Sequence, residues 1–233
     1  MNLATGLATG GGTDVVTAVE NVVGTWDADR IIGDENANRL FGEYGSDEIM
    51  GLGGDDVIGT DACCDEGGFT LDGGAGDDWL VARGDGEFSG GPGDDRLSAN
   101  GTGSALDGGP GVDVADYTYV FAFDVPSGGT TESMEVDLSA GTAHERDCGT
   151  SCGQDTLAGI EGATGGRADD RLIGDELANA LSGGDGNDEI VAAGGDDVLD
   201  GGRDFFDGDD GDGGAGNDVC KSIERPVDCE STG

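Results

Sequence analysis

An aspartate or asparagine stands at every ninth residue in two stretches of this chain: Asp29, Asn38, Asp47 and Asp56, then Asp170, Asn179, Asp188 and Asp197. Each is the sixth residue of a nonapeptide rich in glycine at its first, second and fourth places. The eighth place is aliphatic: Ile31, Leu40, Ile49 and Ile58, then Leu172, Leu181, Ile190 and Leu199. The frame recurs in Gly73–Val81, Gly90–Ser98, Gly108–Asp116 and Gly213–Lys221. These put Asp78, Asp95, Asp113 and Asp218 at the sixth place, with Ala115 and Cys220 at the eighth in the last two. Carboxylates beside glycine carbonyls are hard oxygen donors suited to small cations. Paired carboxylates also serve acid–base catalysis, but here a fixed frame gives all of them one shared task, as ligands.

The other reactive residues form no constellation. Gly149-Thr150-Ser151-Cys152-Gly153 matches a nucleophile-elbow pattern, but it sits in a cysteine-flanked insertion without the strand and helix that motif needs. His144 is the single histidine, and His144-Glu145-Arg146-Asp147 lacks the second histidine of a zinc-protease helix. No catalytic site is expected. Six cysteines in so acidic a chain point to an oxidising compartment. Short loops favour Cys148 with Cys152 and Cys220 with Cys229. Cys63 and Cys64 are left open between a vicinal bridge, other partners and free thiols. Zinc is disfavoured because four thiolates at finger spacing are absent.

Composition narrows the partners. The 233 residues include 50 glycines and 51 acids against 10 Lys and Arg, a net charge of −41. Such charge with 5% aromatics is the signature of disorder unless the order of residues says otherwise. Nucleic acid and anionic membrane would be repelled, and the natural counter-charge is a small cation. No apolar run is long enough to span a bilayer, and residues 1–20 show no secretory signal.

The order of residues overturns disorder. A turn of six residues and a strand of three fit each nonapeptide, with the eighth place facing inward because strand side chains alternate. Glycine serves the turn because the backbone there enters regions that a Cβ penalises. A longer duplication lies above the short one. Glu20 corresponds to Glu161, Gly24 to Gly165 and Asn38 to Asn179, each 141 positions on, and about half of that stretch is identical. Upstream, Asn2–Gly6 resembles Asp137–Gly141, 135 positions on. Residue 1 therefore falls inside a repeat unit, as in a fragment of a longer protein.

The nonapeptide G-G-x-G-x-D-x-U-x, where U is a large apolar residue, resembles the RTX, or haemolysin-type calcium-binding, repeat. The linking text from Val136-Asp137-Leu138 to Ile160-Glu161 resembles the spacers between such arrays. The resemblance implies an all-β fold, a right-handed parallel β-roll (a β-solenoid) with two nonapeptides to a coil and Ca²⁺ in the turns. It implies that Asp29 and Asp47 flank one row of ions, with Asn38 and Asp56 on the other edge. The second array pairs Asp170 with Asp188 and Asn179 with Asp197. Energetics point the same way. Burying one Ile or Leu contributes roughly 1.5–3 kcal/mol, whereas ordering nine residues costs roughly 9–18 kcal/mol. Sheet hydrogen bonds help only modestly, at about 1 kcal/mol each, and an ion bound at about 0.1 mM adds about 5.5 kcal/mol, which makes calcium the expected missing contribution.

The expected organisation is a partial spacer at 1–23, a first array at 24–116 with irregular coils at 60–72 and 82–89, and a β spacer at 117–164 placed to cap that array. A second array follows at 165–221, with a tail at 222–233 carrying Cys229. Strands are expected at Tyr117–Phe123 and Glu135–Leu138, and Asp204–Asp212 reads as out of register. The favoured function is an extracellular calcium-dependent structural or secretion module of an exported protein. An adhesin or ice-binding array would want outward threonines or aromatics. The outward places here are mixed, as at Arg30, Glu48, Arg96 and Glu189. The third reading places a catalytic domain outside this chain.

Overall fold

A computed structural model describes residues 1–9, 13–61, 68–100, 103–118, 120–122, 125–127, 133–146, 153–202 and 208–232. Among these residues there are 27 strands and no helix. Two long sheets of twelve and eleven strands face each other, and successive nonapeptide strands of the chain alternate between them. The first sheet begins with Arg30–Ile32, Glu48–Gly53 and Phe69–Ala75; the second with Asn21–Thr25, Arg39–Glu43 and Val57–Asp61. This is a β-solenoid of the β-roll kind.

Register follows the inward apolar places. In the second sheet Val22, Leu40, Ile58, Leu80, Leu97, Ala115, Ala163, Leu181, Leu199 and Cys220 stand in one column. In the first, Ile31, Ile49, Leu71, Phe88, Leu106 and Leu157 form another, continued further on by Leu172 and Ile190. All of these are buried, so the two columns make a core one side chain deep on each sheet. Ile49 pairs with Leu71, 22 residues on, four beyond the regular 18, and Leu71 with Phe88, one short of it. Phe69 and Phe88 meet edge to face at 5.2 Å in these irregular coils.

The two arrays form one continuous roll. Val114–Asp116 pairs with Gly162–Thr164, which pairs with Ala180–Gly184. Residues 155–164 are thus a coil within the roll and not a lid over its end. The first sheet takes in an antiparallel hairpin, Met134–Asp137 with Thr142–Glu145, between Asp155–Ala158 and Arg171–Ile173. Its Met134, Val136 and Ala143 are fully buried. Of the expected strand at 117–123, residues 120–122 pair with Val125–Ser127.

At the far end Cys220 takes the inward place beside Leu199 and is bonded to Cys229, with their Cα atoms 5.9 Å apart. The bridge closes the last coil where the core would otherwise meet water. Replacing Cys229 by serine is expected to lower stability by about 2–3 kcal/mol, from the chain entropy of a short closed loop. Denaturant unfolding at saturating calcium measures it, and an unchanged midpoint would contradict the sealing role. Cys63, Cys64, Cys148 and Cys152 lie outside the described residues.

Candidate metal-binding turns

The sixth place of each nonapeptide lies two residues before an inward apolar residue, at the mouth of a turn. Turns from alternate nonapeptides therefore line the two long edges of the roll. Along the edge leading into the second sheet, Asn38, Asp56, Asp78, Asp95, Asp113, Asn179, Asp197 and Asp218 are all buried.

They form a ladder. The Asn38 N–H donates to Asp56 Oδ1 at 2.7 Å, Asp56 N–H to Asp78 at 2.7 Å, Asp78 N–H to Asp95 at 2.8 Å and Asp95 N–H to Asp113 at 2.7 Å. Asp113 N–H donates to Glu161 Oε2 at 3.0 Å. Beyond it, Asn179 N–H donates to Asp197 at 2.8 Å, Asp197 N–H to Asp218 at 3.0 Å, and Asp218 N–H to Glu230. Each carboxylate thus uses one oxygen to hold the backbone of the coil before it.

The other oxygen is left over. Oδ2 of Asp56, Asp78, Asp95, Asp113, Asp197 and Asp218 is buried without a hydrogen-bond donor. All but Asp197, whose turn begins with Ala192, lie beneath the first-place glycine of their own turn. A Cβ on Gly51 would stand 2.0 Å from Asp56 Oδ2 and 2.3 Å from the Gly73 carbonyl oxygen; one on Gly73 would stand 2.3 Å from Asp78 Oδ2 and 2.7 Å from the Gly90 oxygen. The space a side chain would fill is lined by carboxylate and carbonyl oxygens. The turn reaches this shape through left-handed backbone at its second and fourth places, as at Gly74 (φ 101°) and Gly76 (φ 140°). An all-oxygen donor set with flexible glycine backbone suits Ca²⁺, which takes six to eight oxygens in tolerant geometry, and does not suit softer metals.

The other edge is interrupted. Asp29 N–H donates to Asp47 at 2.9 Å, and Asp170 N–H to Asp188 at 2.8 Å. Asp29 is half-buried, while Asp47, Asp170 and Asp188 are buried. Between the two groups the sixth place is taken by Phe69, Gly86 and Ser104, then by Asp155 in the spacer and Met134 in the hairpin. Thr60 donates its hydroxyl to Asp47 Oδ2 where this row breaks off. The two edges are therefore unequal: one keeps an Asp, Asn or Glu at the sixth place in every coil from Asn38 to Glu230, and the other is two shorter runs.

Five ladder acids escape the glycine frame. Asp155 is fully buried and accepts the Gly103 and Ser104 N–H groups at 2.8 Å and the Tyr117 hydroxyl at 3.1 Å. Glu161, Glu224 and Glu230 take the sixth place with a longer side chain. Asp209 accepts Asp188 N–H at 2.8 Å, so register is regained by Asp210–Asp212, which pairs with Glu189–Val191. The reading of 204–212 as out of register is corrected there. Gly211 takes the inward place, and Ile223 fills the room it leaves. Counting back two residues from each inward apolar residue finds Asp155 and Glu161.

Electrostatics follow from burial. Removal from water pushes the Asp78 carboxyl up to about 7, against the Asp56 N–H bond that lowers it and with Asp56, Asp95 and Asp55 adding repulsion. Asp56, Asp95 and Asp170 are pushed to about 6 with burial as the leading cause, and Asp113 and Asp197 are raised by the same cause. In an unfolded chain these groups titrate near 3.8. The ion-free roll therefore holds more protons than the unfolded chain between about pH 4 and 7, and loses stability as pH rises through that window. Ion-free protein is expected to be more β-rich at pH 5 than at pH 8 by circular dichroism, and calcium added at pH 6 is expected to release protons. A signal independent of pH, with no proton release, would contradict the burial of these carboxylates.

A family model describing four copies of the RTX calcium-binding nonapeptide repeat matches residues 23–58, 70–86 and 173–205. Over these stretches the chain carries RTX calcium-binding nonapeptide repeats. No curated protein matches it. The RTX matches cover turns of both arrays, including those of Asp29, Asn38, Asp47, Asp56, Asp78, Asn179, Asp188 and Asp197. Asp95, Asp113, Asp170 and Asp218 lie outside the matched stretches but occupy the same ladder positions.

Proposed function

We propose that this chain is an extracellular calcium-dependent structural or secretion module of an exported protein, which folds as its turns take up Ca²⁺. The observation that carries the reading is the row of buried Oδ2 oxygens without donors. A buried carboxylate with no counter-charge costs several kcal/mol, and six on one edge are not sustained by the hydrogen bonds around them. Oδ2 of Asp56, Asp78, Asp95, Asp113, Asp197 and Asp218, with the backbone carbonyls at the first places of the turns, would hold the ions. Asp29, Asp47, Asp170 and Asp188 would serve the interrupted edge, and Asn38 and Asn179 give an oxygen without charge. Bound calcium supplies the positive charge that neutralises the ladder. The chain's own part is to bring the oxygens of successive coils together and keep water from the inward column.

An extracellular site agrees with the Cys220–Cys229 bridge and with the affinity of about 0.1–1 mM usual for extracellular calcium modules. Among the described residues no helix is long and apolar enough to cross a membrane. The outward faces favour a structural role over an ice-binding or adhesive one. They carry cross-strand ion pairs, Arg30 with Glu48 at 2.9 Å and Arg171 with Glu189 at 3.1 Å, in place of a flat ladder of threonines.

Calorimetric titration tests the reading. Calcium is expected to bind at several sites with uptake of β structure. Magnesium is expected to do so poorly at tenfold higher concentration, because it demands small octahedral sites and gives up water reluctantly. Equal folding by both ions, or by neither, would sink the proposal.

A further inference from the structure

Under the first-place glycines, the donor-free ladder oxygens also face a backbone carbonyl of the coil that follows. Under Gly90 these are Asp95 Oδ2 and the Gly108 oxygen, and under Gly108 they are Asp113 Oδ2 and the Gly159 oxygen. Under Gly213 the carbonyl comes from outside the nonapeptides. A Cβ there would stand 2.8 Å from Asp218 Oδ2 and 2.5 Å from the Asp228 oxygen. The Gly213 N–H donates to the Val227 carbonyl at 3.0 Å, which sets Asp228 beside the turn. Two residues on, Glu230 Oε2 accepts the Asp218 N–H, and the Glu230 N–H donates to the Asp218 carbonyl at 2.9 Å. Glu161 and Asp113 make the same reciprocal pair, at 3.0 Å in both directions.

Asp228 and Glu230 flank Cys229. Asp210–Asp212 and Val219–Lys221 are joined by the six residues 213–218, but Arg225–Val227 and Ser231–Thr232 are joined by three, Asp228, Cys229 and Glu230. Burial does little to hold this short turn. Arg225, Pro226 and Val227 are exposed, and none of residues 223–230 is fully buried. The fixed point is covalent: Cys229 is bonded to Cys220, which is buried in the inward column beside Leu199. The bridge therefore sets the turn carrying Asp228 and Glu230 against the turn carrying Asp218.

We infer that the Cys220–Cys229 bridge gates the calcium site at Asp218, an inference that rests on the calcium reading proposed above. Oxidised, the bridge holds the Asp228 carbonyl opposite Asp218 Oδ2 and Glu230 on the Asp218 N–H. Reduced, it frees residues 228–230, and the site loses one wall and its ion. Reduction takes two electrons and two protons. The thiolate of a small thiol attacks one sulfur of the bridge, Cys229 being the less buried, and a second small thiol releases the mixed disulfide. The products are two cysteine thiols and one small-molecule disulfide. Linkage makes the coupling mutual. The factor by which the bridge tightens calcium at Asp218 is the factor by which that ion protects the bridge from reduction.

Equilibrium dialysis of the full chain in saturating calcium tests the gate. Cys229→Ser is expected to keep its β ellipticity and bind one ion fewer than the original chain, whereas a bridge that acted through chain entropy alone would leave the count unchanged. A second measurement keeps the bridge intact. In a glutathione buffer at the same calcium, the resistance of the bridge to reduction is expected to fall at least about fivefold in Asp218→Ala. Asp95→Ala, an equal loss at a remote turn, is expected to move it by less than about twofold. An unchanged ion count in folded Cys229→Ser, or equal resistance in Asp218→Ala and the original chain, would overturn the gate. An original chain that takes up no calcium would overturn the proposed function itself, and the gate with it.

Discussion

Replacing Asp188 by alanine is expected to cost about 2–4 kcal/mol of stability in saturating calcium, whereas replacing Asp185 leaves stability within about 0.5 kcal/mol. The two residues are three apart in one turn, carry the same charge, and differ in position alone. Asp188 is buried, and its Oδ1 accepts the Asp170 N–H at 2.8 Å. Alanine leaves that N–H buried without an acceptor, at about 1–3 kcal/mol, and removes an oxygen from the interrupted edge. Asp185 is exposed at the variable third place of the turn. The calcium midpoint moves less than the stability does. A cooperative transition divides the loss among several ions, so the midpoint of Asp188→Ala is expected to rise about two- to fourfold. Urea unfolding of both variants at 10 mM and at limiting calcium checks the pair. Equal losses would mean that net charge, and not the ladder, governs folding.

How much of this the sequence discloses depends on which physical requirement its pattern encodes. The inward column is legible because Ile31, Leu40, Ile49 and Ile58 hold one phase, and a roll with two nonapeptides to a coil turns that phase into two stacked columns. The fold class follows from it. The ladder is less legible. Its requirement is an acceptor that reaches the N–H of the coil before it, which glutamate also meets. Glu161, Glu224 and Glu230 therefore serve where the glycine frame has decayed. The break in the other edge is hidden for the converse reason. The bulged coils keep Leu71, Phe88 and Leu106 inward while the sixth place goes to Phe69, Gly86 and Ser104, so core phase survives where ligand phase is lost. The joining of two arrays into one roll turns on pairing between residues 114–116 and 162–164, across an insertion whose length hides the match.

The account rests on calcium being what folds the chain. Without the ion, ladder carboxylates stand one coil apart along a buried edge. In the folded state they gain one N–H each and lose their water. The column behind them is one residue deep and does not offset the entropy of ordering nine residues per repeat. Binding free energy then appears as folding free energy, and ions bound later meet coils already aligned by earlier ones. The direct measurement follows far-UV ellipticity and radius of gyration together while Ca²⁺ is raised from chelated solution at pH 7.5. The predicted result is an expanded, disordered chain that collapses into β structure in one steep, cooperative step between about 0.1 and 1 mM calcium. A chain already compact and β-rich in excess chelator would contradict it.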